Sequence, residues 1–282
     1  MEITLFMHRY LKKGKRFIRL CALLISCLIV LSCVGCEKES TDVNGGFGAY
    51  PNANKNPTQS GKKRVALTFD DGPHNVRTKK IVDELEKYGF HATFFVVGNR
   101  VASVNGNSLA YNGADAVQYA AQKGNEIGIH GYTHSTYYHT CSDEVYKNEL
   151  FDTAAAIIEA VGDYNVKLMR PIGGHISEER VEECPYSVIM WSVDSLDWKY
   201  RGASDEAIAA ANVETIVNNV MSKVKDGDVI LMHDIYENTY EATKIILKQL
   251  YEQGYEVVTV SELFGNTLKA GQKYSQRKTA TK

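Results

Sequence analysis

Two histidines four residues apart and two adjacent aspartates are suited to metal chemistry. His130 and His134, together with one carboxylate, would supply two imidazole nitrogens and one oxygen, which suits zinc or a similar divalent ion with open coordination positions. An open position holds water, and the metal lowers the pKa of that water toward neutrality. Asp70 and Asp71 are adjacent, so one carboxylate could bind the metal while a second acts as a general base.

A separate histidine, His233, could give a proton to a leaving group. A carboxylate beside it would raise its pKa and keep it protonated, and both Asp194 and Asp197 are available for that role. Arg170 is available to fix the orientation of a base carboxylate. Together these residue types suit the metal-assisted hydrolysis of an amide or an ester.

Strand-like apolar runs and amphipathic helices alternate along the chain and must position these residues. Several runs are β-branched and apolar on both faces, as in strands buried in a parallel sheet. The predicted strands are residues 65–69, 92–97, 126–129, 166–169, 187–193, 228–232 and 256–259. Four helices are predicted. The first has Thr78 as its cap and ends at Gly89, and the second runs from Ser142 to Gly162. The other two cover residues 205–225 and 241–253. The alternation predicts an α/β fold, either an open sheet or a barrel.

Clusters of ionisable residues follow five of the predicted strands. The carboxyl ends of parallel strands converge on one face of an α/β fold, and sites are built on that face. Each cluster alone is a weak signal, because two histidines four apart are usually unrelated and paired aspartates are often a turn. Their shared position at strand ends predicts one site, made from residues 69–73, 129–134, 170–174, 194–198 and 231–234.

The run Thr68-Phe69-Asp70-Asp71-Gly72-Pro73 resembles the first motif of the polysaccharide deacetylases of carbohydrate esterase family 4, also called NodB-homology domains. Residues 130–134, 170–174, 194–198 and 231–233 are similar to the second to fifth motifs, in family order. The resemblance covers about residues 62–264. It implies a distorted (β/α) barrel of seven or eight parallel strands, similar to a TIM barrel.

The resemblance also implies a role for each motif residue. Asp70 would be the general base and His233 the general acid, with Arg170 holding the base and Asp197 tuning the acid. The implied metal ligands are Asp71, His130 and His134. Zinc is the expected ion, with cobalt, manganese, nickel and iron as alternatives. The implied substrate-binding residues are Pro171, Gly173, whose backbone N–H would stabilise the oxyanion, and Trp198, which would wall the groove.

Two positions depart from the family pattern. Gly131 stands where the family usually has Ser or Thr, a residue that helps to brace the histidine loop. Ile172-Gly173 replaces a common Pro-aromatic pair, which keeps the backbone donor but could remove a ring that stacks on sugar. Residues 137–139 could line a sugar groove. The histidines outside the motifs are interpreted as surface or satisfied polar residues, namely His74, His91, His139 and His175.

The amino-terminal segment predicts export. Among the 282 residues, the first 36 carry six basic groups and one acidic group, and an apolar run covers 20–34. This order is typical of a secretion signal. Gly35-Cys36 resembles a lipoprotein cleavage junction, Cys33 competes with it, and an uncleaved signal anchor is the alternative. We expect an extracytoplasmic protein that is tethered to the membrane and faces the cell wall.

The remaining organisation follows from composition. Residues 1–36 are the leader, 37–61 a flexible linker rich in small polar residues, 62–265 the deacetylase domain, and 266–282 a polar, basic tail that is expected to fray. Without the leader the chain is acidic, which argues against a nucleic-acid partner. We expect a monomer. Whether Cys141 and Cys184 pair is left open.

The expected function is metal-dependent removal of acetyl groups from N-acetylglucosamine residues of a polysaccharide, with peptidoglycan preferred. Chitin oligomers, acetylated xylan and an exopolysaccharide are alternative substrates. A non-catalytic glycan-binding protein would be expected to lack a catalytic residue, and none of the motif residues is missing. A non-haem iron oxygenase could use the same ligand types, but it would leave Asp70, Arg170 and His233 without roles.

Overall fold

The structure, a computed structural model, describes residues 62–102, 113–135, 137–201 and 205–277. The predicted leader and linker lie outside the described residues. Within those residues, no helix combines the length and the apolar character that crossing a bilayer requires.

A parallel sheet forms the centre of the described residues. Its neighbours run in the order β6-β7-β1-β2-β3-β4-β5-β9, and β8 pairs with the amino-terminal end of β1. Every ladder between named strands is parallel. The strands are β1 Lys63–Asp70, β2 Thr93–Val96, β3 Glu126–Ile129, β4 Leu168–Met169, β5 Ser187–Ile189, β6 Val193–Asp194, β7 Val229–His233, β8 Tyr255–Val257 and β9 Lys273–Tyr274.

Helices cover the sheet between the strands. They are α1 Arg77–Glu86, α2 Gly98–Val101, α3 Gly113–Gln122, α4 Asp143–Val161, α5 Glu178–Glu182, α6 Glu206–Met221, α7 Glu237–Glu252 and α8 Val260–Leu263, with 3₁₀ helices at Ile172–Gly174 and Asp197–Lys199. The expected distorted (β/α) barrel of parallel strands is confirmed as a curled, barrel-like parallel sheet with helices outside it.

Two predicted elements need correction. The run 187–193 was predicted as one strand but forms β5 and β6, because its pairing with β4 ends at Val188 and the chain pairs with β7 from Val193. Thr78 was predicted to cap α1, but the helix begins at Arg77 and the Thr78 hydroxyl donates to Asp234 instead. The cap of α4 is confirmed, since Ser142 Oγ accepts the Val145 N–H at 3.3 Å.

The expectation that the tail frays is wrong for residues 266–277. Strand β9 pairs in parallel with β5, and Gln276 forms an antiparallel bridge with Asp228, just before β7. The Gln276 side chain also donates to Asp228 Oδ1 at 2.7 Å. The tail therefore links β5 to the start of β7. Backbone hydrogen bonds to an open strand edge hold the tail. A strand of two residues shows no periodicity, so the sequence did not predict this pairing.

The period of a strand explains how β1 presents its polar residues. Successive side chains point to opposite faces, so Ala66, Thr68 and Asp70 share one face while Leu67 and Phe69 share the other. Ala66 belongs to a small apolar cluster inside the curled sheet, and Leu67 and Phe69 pack in the larger cluster beneath the helices. Asp70 is therefore carried inward at the carboxyl end of the strand.

The two cysteines of the described residues are both free thiols. Cys184 is buried and Cys141 is partly exposed. Burial raises the pKa of each thiol, so both are held in their neutral form at neutral pH.

Candidate active site

Asp70 and Arg170 form a buried ion pair where β1 and β4 end. Arg170 Nη1 donates to Asp70 Oδ1 at 2.8 Å and to Thr68 Oγ1 at 2.7 Å. Asp70 is 3% exposed and Arg170 is fully buried. The hydroxyl of Thr68 donates in turn to the Ile230 carbonyl oxygen at 2.6 Å. This network fixes one oxygen of Asp70, so the carboxylate has one orientation.

The other two nitrogens of Arg170 donate to backbone carbonyl oxygens at the end of β5. Nε donates to the Ile189 carbonyl oxygen at 3.0 Å, and Nη2 donates to that of Met190 at 3.1 Å. The guanidinium also lies 4.3 Å from the centre of the Phe95 ring. A planar guanidinium with fixed donors suits this arrangement better than a lysine would.

Asp71, His130 and His134 bring three donor atoms within 4.8 Å of one another. Asp71 Oδ1 lies 2.8 Å from His134 Nε2 and 3.3 Å from His130 Nε2. Two zinc ligands with bonds of about 2.1 Å lie no more than about 4 Å apart, so both distances suit a shared ion. The backbone of Asp71 and His134 is left-handed, with φ of 69° and 57°.

The orientation of His130 also fits metal binding. Its Nδ1 lies 2.9 Å from the Arg170 carbonyl oxygen, which can only accept a hydrogen bond. Nδ1 must therefore carry a proton, and Nε2 is the nitrogen that faces Asp71, 3.3 Å from its Oδ1. Two imidazoles and one carboxylate, with one imidazole oriented by a carbonyl, match the donor chemistry of a divalent transition metal.

The charge state of Asp71 supports the same reading. Burial alone would raise the pKa of this carboxyl, but its hydrogen bonds with His130 and His134 outweigh burial and hold the pKa well below its usual range. The Arg100 side chain also donates to the Asp71 backbone carbonyl oxygen. Asp71 is thus an anionic carboxylate whose backbone is fixed by a separate contact.

Glu149 braces the loop that carries the two histidines. This buried residue of α4 accepts the Tyr132 N–H at 2.6 Å and the Thr133 N–H at 3.0 Å with one oxygen, and the Thr133 hydroxyl at 2.6 Å with the other. A Cβ on Gly131 would lie 2.9 Å from that carboxylate and 2.7 Å from the Tyr138 hydroxyl. Gly131 therefore leaves room for a brace that comes from α4 instead of from its own side chain.

His233 and Asp197 form a second pair at the end of β7, in which the His233 side chain is partly buried. His233 Nδ1 lies 2.7 Å from Asp197 Oδ1, and the His233 backbone N–H donates to Asp197 Oδ2 at 2.7 Å. The Thr239 hydroxyl donates to the same Oδ2 at 2.7 Å. Asp197 is fully buried, so its carboxylate is bound on both oxygens and orients the imidazole.

The electrostatic surroundings keep His233 protonated. Burial alone would lower its pKa, but the adjacent Asp197 and the charges of Asp70 and Asp71 outweigh burial and raise the pKa to about 9. Asp194, the other carboxylate considered for this role, accepts the Leu196 N–H at 2.8 Å instead. The geometry therefore selects Asp197 as the partner of His233.

The structure brings the predicted residues of all the motifs to one end of the sheet. Asp70 pairs in register with His233, and Ile129, just before His130, pairs with Met169, just before Arg170. The loop after Arg170 carries the buried Pro171 and the exposed Gly173, whose φ is 60°.

Trp198 lies in the 3₁₀ helix that also holds Asp197, and it is 39% exposed. Its indole therefore presents a surface to solvent beside the His233–Asp197 pair.

Glu149 and Thr239 lie outside the clusters predicted from the sequence, and Asp234 lies inside one of them but was given no role. Glu149 acts on the Thr133 backbone N–H across 16 residues of chain, and Thr239 acts on Asp197 across 42. Asp234 is fully buried beside His233, and burial raises its pKa to about 7. For Asp234, its place directly after His233 was the available signal. Nothing local in the sequence distinguishes Glu149 or Thr239 from other helix residues.

Comparison with known proteins places these features in a family. The family model described as polysaccharide deacetylase matches residues 58–187. The chain is 34% identical over 218 residues to peptidoglycan-N-acetylglucosamine deacetylase PgdA of Listeria monocytogenes, covering 77% of this chain and 42% of that protein. It is 39% identical over 202 residues to peptidoglycan-N-acetylmuramic acid deacetylase PdaC of Bacillus subtilis, covering 72% and 39%.

A shorter relative is covered more completely. The chain is 35% identical over 210 residues to a peptidoglycan-N-acetylglucosamine deacetylase of Bacillus cereus, covering 72% of this chain and 88% of that protein. By contrast, it spans only about two fifths of the length of PgdA and PdaC.

Solved structures share the fold. A deacetylase solved with its substrate has a TM-score of 0.66 and 31% identity, covering 76% of this chain and 97% of that one. A family 4 acetyl xylan esterase from Clostridium thermocellum, in complex with a cobalt ion, has a TM-score of 0.62 and 31% identity, covering 76% and 98%.

Proposed function

Because the chain belongs to the polysaccharide deacetylase family, carbohydrate esterase family 4, we propose that it is a metal-dependent hydrolase that removes acetyl groups from N-acetylglucosamine residues of peptidoglycan. The observation that carries this proposal is the arrangement of two ion pairs, Asp70–Arg170 and His233–Asp197, beside the three potential metal ligands. One pair provides a carboxylate and the other a protonated imidazole. Hydrolysis of an amide needs both a base and an acid.

The metal centre would use Asp71, His130 and His134. Zinc is the ion that we propose, since two imidazoles and a carboxylate form a common catalytic zinc set. When bound, a divalent ion supplies a Lewis acid that polarises the acetyl carbonyl and lowers the pKa of a water molecule. The cobalt complex of the acetyl xylan esterase supports a divalent ion in this fold.

Asp70 would take the proton of the attacking water. Its Oδ1 is bound by Arg170 at 2.8 Å, and its Oδ2 lies 3.8 Å from His130 Nε2. The oxygen without the arginine contact therefore faces the potential metal ligands, where the attacking water would lie. Arg170 holds the carboxylate in that orientation and does not itself take part in proton transfer.

His233 would donate the proton that the departing amine needs. Asp197 binds Nδ1, so Nε2 is the nitrogen that can deliver a proton to the substrate. With a pKa near 9, the imidazole is protonated at neutral pH before the reaction begins. We assign Gly173 the backbone N–H that stabilises the oxyanion, Pro171 to the adjacent pocket wall, and Trp198 to the wall of the groove.

The peptidoglycan substrate is supported by the names of the relatives. Three of them are peptidoglycan deacetylases, two named for N-acetylglucosamine and one for N-acetylmuramic acid. The acetyl xylan esterase favours acetylated xylan as a second candidate. We also propose that the protein acts as a monomer outside the cytoplasm, held to the membrane through its amino-terminal segment, since a cell-wall substrate lies there.

Acetate release from the candidate polymers tests this proposal. The full-length chain would be loaded with zinc and incubated with peptidoglycan, with N-acetylglucosamine oligomers and with acetylated xylan. We expect release from peptidoglycan to be fastest and to stop when the metal is removed by a chelator. Mass spectrometry of the digested product then identifies whether N-acetylglucosamine or N-acetylmuramic acid has lost its acetyl group.

The substrate assignment and the reaction fail in different ways. Faster release from xylan would overturn peptidoglycan as the substrate but keep the deacetylase. Acetate release that continues unchanged in the presence of chelator would contradict the metal centre.

A further inference from the structure

Three exposed rings form a cluster beside the candidate site, which we name the ring cluster: Tyr137, His139 and His175. The ring centres of Tyr137 and His175 are 5.2 Å apart, those of His139 and His175 are 5.4 Å apart, and those of Tyr137 and His139 are 5.9 Å apart. Tyr137 is 50% exposed, and both histidines are exposed. The rings thus form a continuous aromatic surface in contact with solvent.

The ring cluster is continuous with the proposed centre. Tyr137 follows the potential ligand His134 by three residues, and His175 follows Gly173 by two. A Cβ on Gly173 would lie 3.0 Å from His175 Cδ2 and 3.4 Å from Tyr137 Cε1. The rings of Tyr137 and His175 therefore lie beside the space that a side chain at residue 173 would occupy.

This contact changes the expectation for the third motif. Replacement of an aromatic residue by Gly173 was expected to remove a sugar-stacking ring. The structure has rings at that place, but Tyr137 and His175 supply them. Gly173 has a φ of 60° and offers no side chain, so it leaves the faces of these neighbouring rings accessible.

A purely structural role explains the ring cluster poorly. The adjacent Tyr138 is completely buried and packs against Tyr146 at 5.2 Å between ring centres, as a core residue does. Tyr137 leaves half of its surface in water. Exposing an aromatic ring forgoes most of the stabilisation that its burial would provide.

We propose that Tyr137, His139 and His175 form a subsite for the sugar that neighbours the deacetylated residue in the same glycan chain. The proposal rests on the proposed function. The apolar C–H face of a pyranose would lie on the Tyr137 ring, and the imidazoles would exchange hydrogen bonds with its hydroxyl and acetamide groups. Because Tyr137 and His175 adjoin Gly173, the sugar that the ring cluster binds would belong to the same glycan chain as the reacting sugar.

Substrate length gives the experiment. The full-length, zinc-loaded protein and its Tyr137→Ala variant would be compared on N-acetylglucosamine oligomers of two to six units. For the longest oligomer we expect Tyr137→Ala to raise KM about tenfold, which corresponds to about 1.4 kcal/mol. The defect should shrink as the oligomer shortens, and Tyr137→Phe should restore most of the lost affinity because it keeps the ring.

A second exposed tyrosine provides the matched control. Tyr251 lies on α7, is 58% exposed and packs against Tyr88 and Phe90. Tyr251→Ala should leave KM unchanged at every oligomer length. An equal defect of Tyr137→Ala at all lengths would overturn the subsite, because it would show that the ring acts only on the geometry of the centre.

Binding without turnover separates the subsite from the proposed function. In an Asp70→Asn background, calorimetric titration with the six-unit oligomer should give a dissociation constant about tenfold weaker when Tyr137→Ala is added. If the protein released no acetate from any polymer, the proposed function would fail while this titration still tested the subsite. Equal dissociation constants with and without Tyr137 would overturn the subsite.

Discussion

The buried centre and the exposed rim of the site are built on different physical principles. The buried centre consists of Asp70, Arg170, His130, His233 and Asp197, and every charged group in it contacts at least one other charged or polar group. The exposed rim consists of the ring cluster and Trp198, whose side chains stand in solvent. The centre is fixed by ion pairs and hydrogen bonds, whereas the three rings of the ring cluster contact one another.

Because of this difference, turnover should depend on the centre and substrate choice on the rim. A charge in a buried network cannot be removed without leaving a partner uncompensated, so changes in the centre should affect kcat or metal content. A ring in solvent has no such partner, so changes in the rim should affect KM. A variant in the centre that changes only KM, or a variant in the rim that changes only kcat, would contradict this division.

The largest effect is expected when a potential metal ligand is removed. His134→Ala should lower zinc affinity by more than the roughly 100-fold that loss of an outer partner costs, and acetate release should disappear with the metal. Zinc content after dialysis measures the loss of metal. His91→Ala, a histidine outside the site, serves as the control. A His134→Ala protein that retained one tightly bound zinc would remove this residue from the ligand set.

The next largest effect is expected at the acid. Asp197→Asn should lower kcat by about 100-fold or more, as loss of general acid catalysis does. His233 must be protonated to donate, so activity is lost as pH rises through its pKa, which is about 9. Without the Asp197 charge, that pKa falls toward the ordinary value of about 6.5, and the alkaline limb of the pH profile should move to lower pH.

Asp194→Asn is the matched comparison for this pH profile. Its carboxylate binds the Leu196 N–H and not His233, so its alkaline limb should stay near that of the unmodified protein. An alkaline limb that moved with Asp194 and not with Asp197 would reverse the assignment.

A smaller effect is expected for Glu149, which contacts the loop that carries His130 and His134. In Glu149→Gln an amide NH₂ replaces one carboxylate oxygen, and it would face the N–H and O–H donors of Tyr132 and Thr133. We expect zinc affinity to fall about tenfold to 100-fold, as measured by competition with a chromogenic chelator. Glu159→Gln, on the exposed side of the same helix, should not change it. Unchanged affinity in Glu149→Gln would show that the histidine loop holds its shape without this brace.

The smallest effect is expected on the rim. Trp198→Ala should raise KM for long oligomers by about threefold to tenfold, as loss of an aromatic contact does. Ile208→Ala, an exposed apolar residue on α6, is the control. Steady-state kinetics separate KM from kcat. A fall in kcat at unchanged KM would place Trp198 with the centre and contradict the division.

The sequence predicted the strand ends of the site well, because a simple geometric rule governs them. Once β1, β3 and β7 were identified, convergence of their carboxyl ends required Asp70, His130 and His233 to lie together. The alternation of a strand then turned Asp70 inward. These inferences needed only local patterns and one rule of topology.

The sequence could not predict contacts that depend on how helices pack on the sheet. Glu149 reaches the histidine loop because α4 lies against it, and nothing in its local sequence indicates that. The residue types alone left the choice between Asp194 and Asp197 open, and only the family resemblance implied Asp197, because the choice depends on a single turn of 3₁₀ helix. Strand β9 has two residues, too few to show a period, so its pairing appeared only in three dimensions.

The central claim is that Asp70 is the base of a metal-dependent deacetylase and is not needed to hold the metal. Zinc content and acetate release from peptidoglycan should therefore be measured on the same preparation of Asp70→Asn, beside the unmodified protein and an exposed-site control, Asp163→Asn. The account predicts that Asp70→Asn keeps its zinc and loses turnover by about 10²-fold to 10⁴-fold. Full turnover in Asp70→Asn would contradict it.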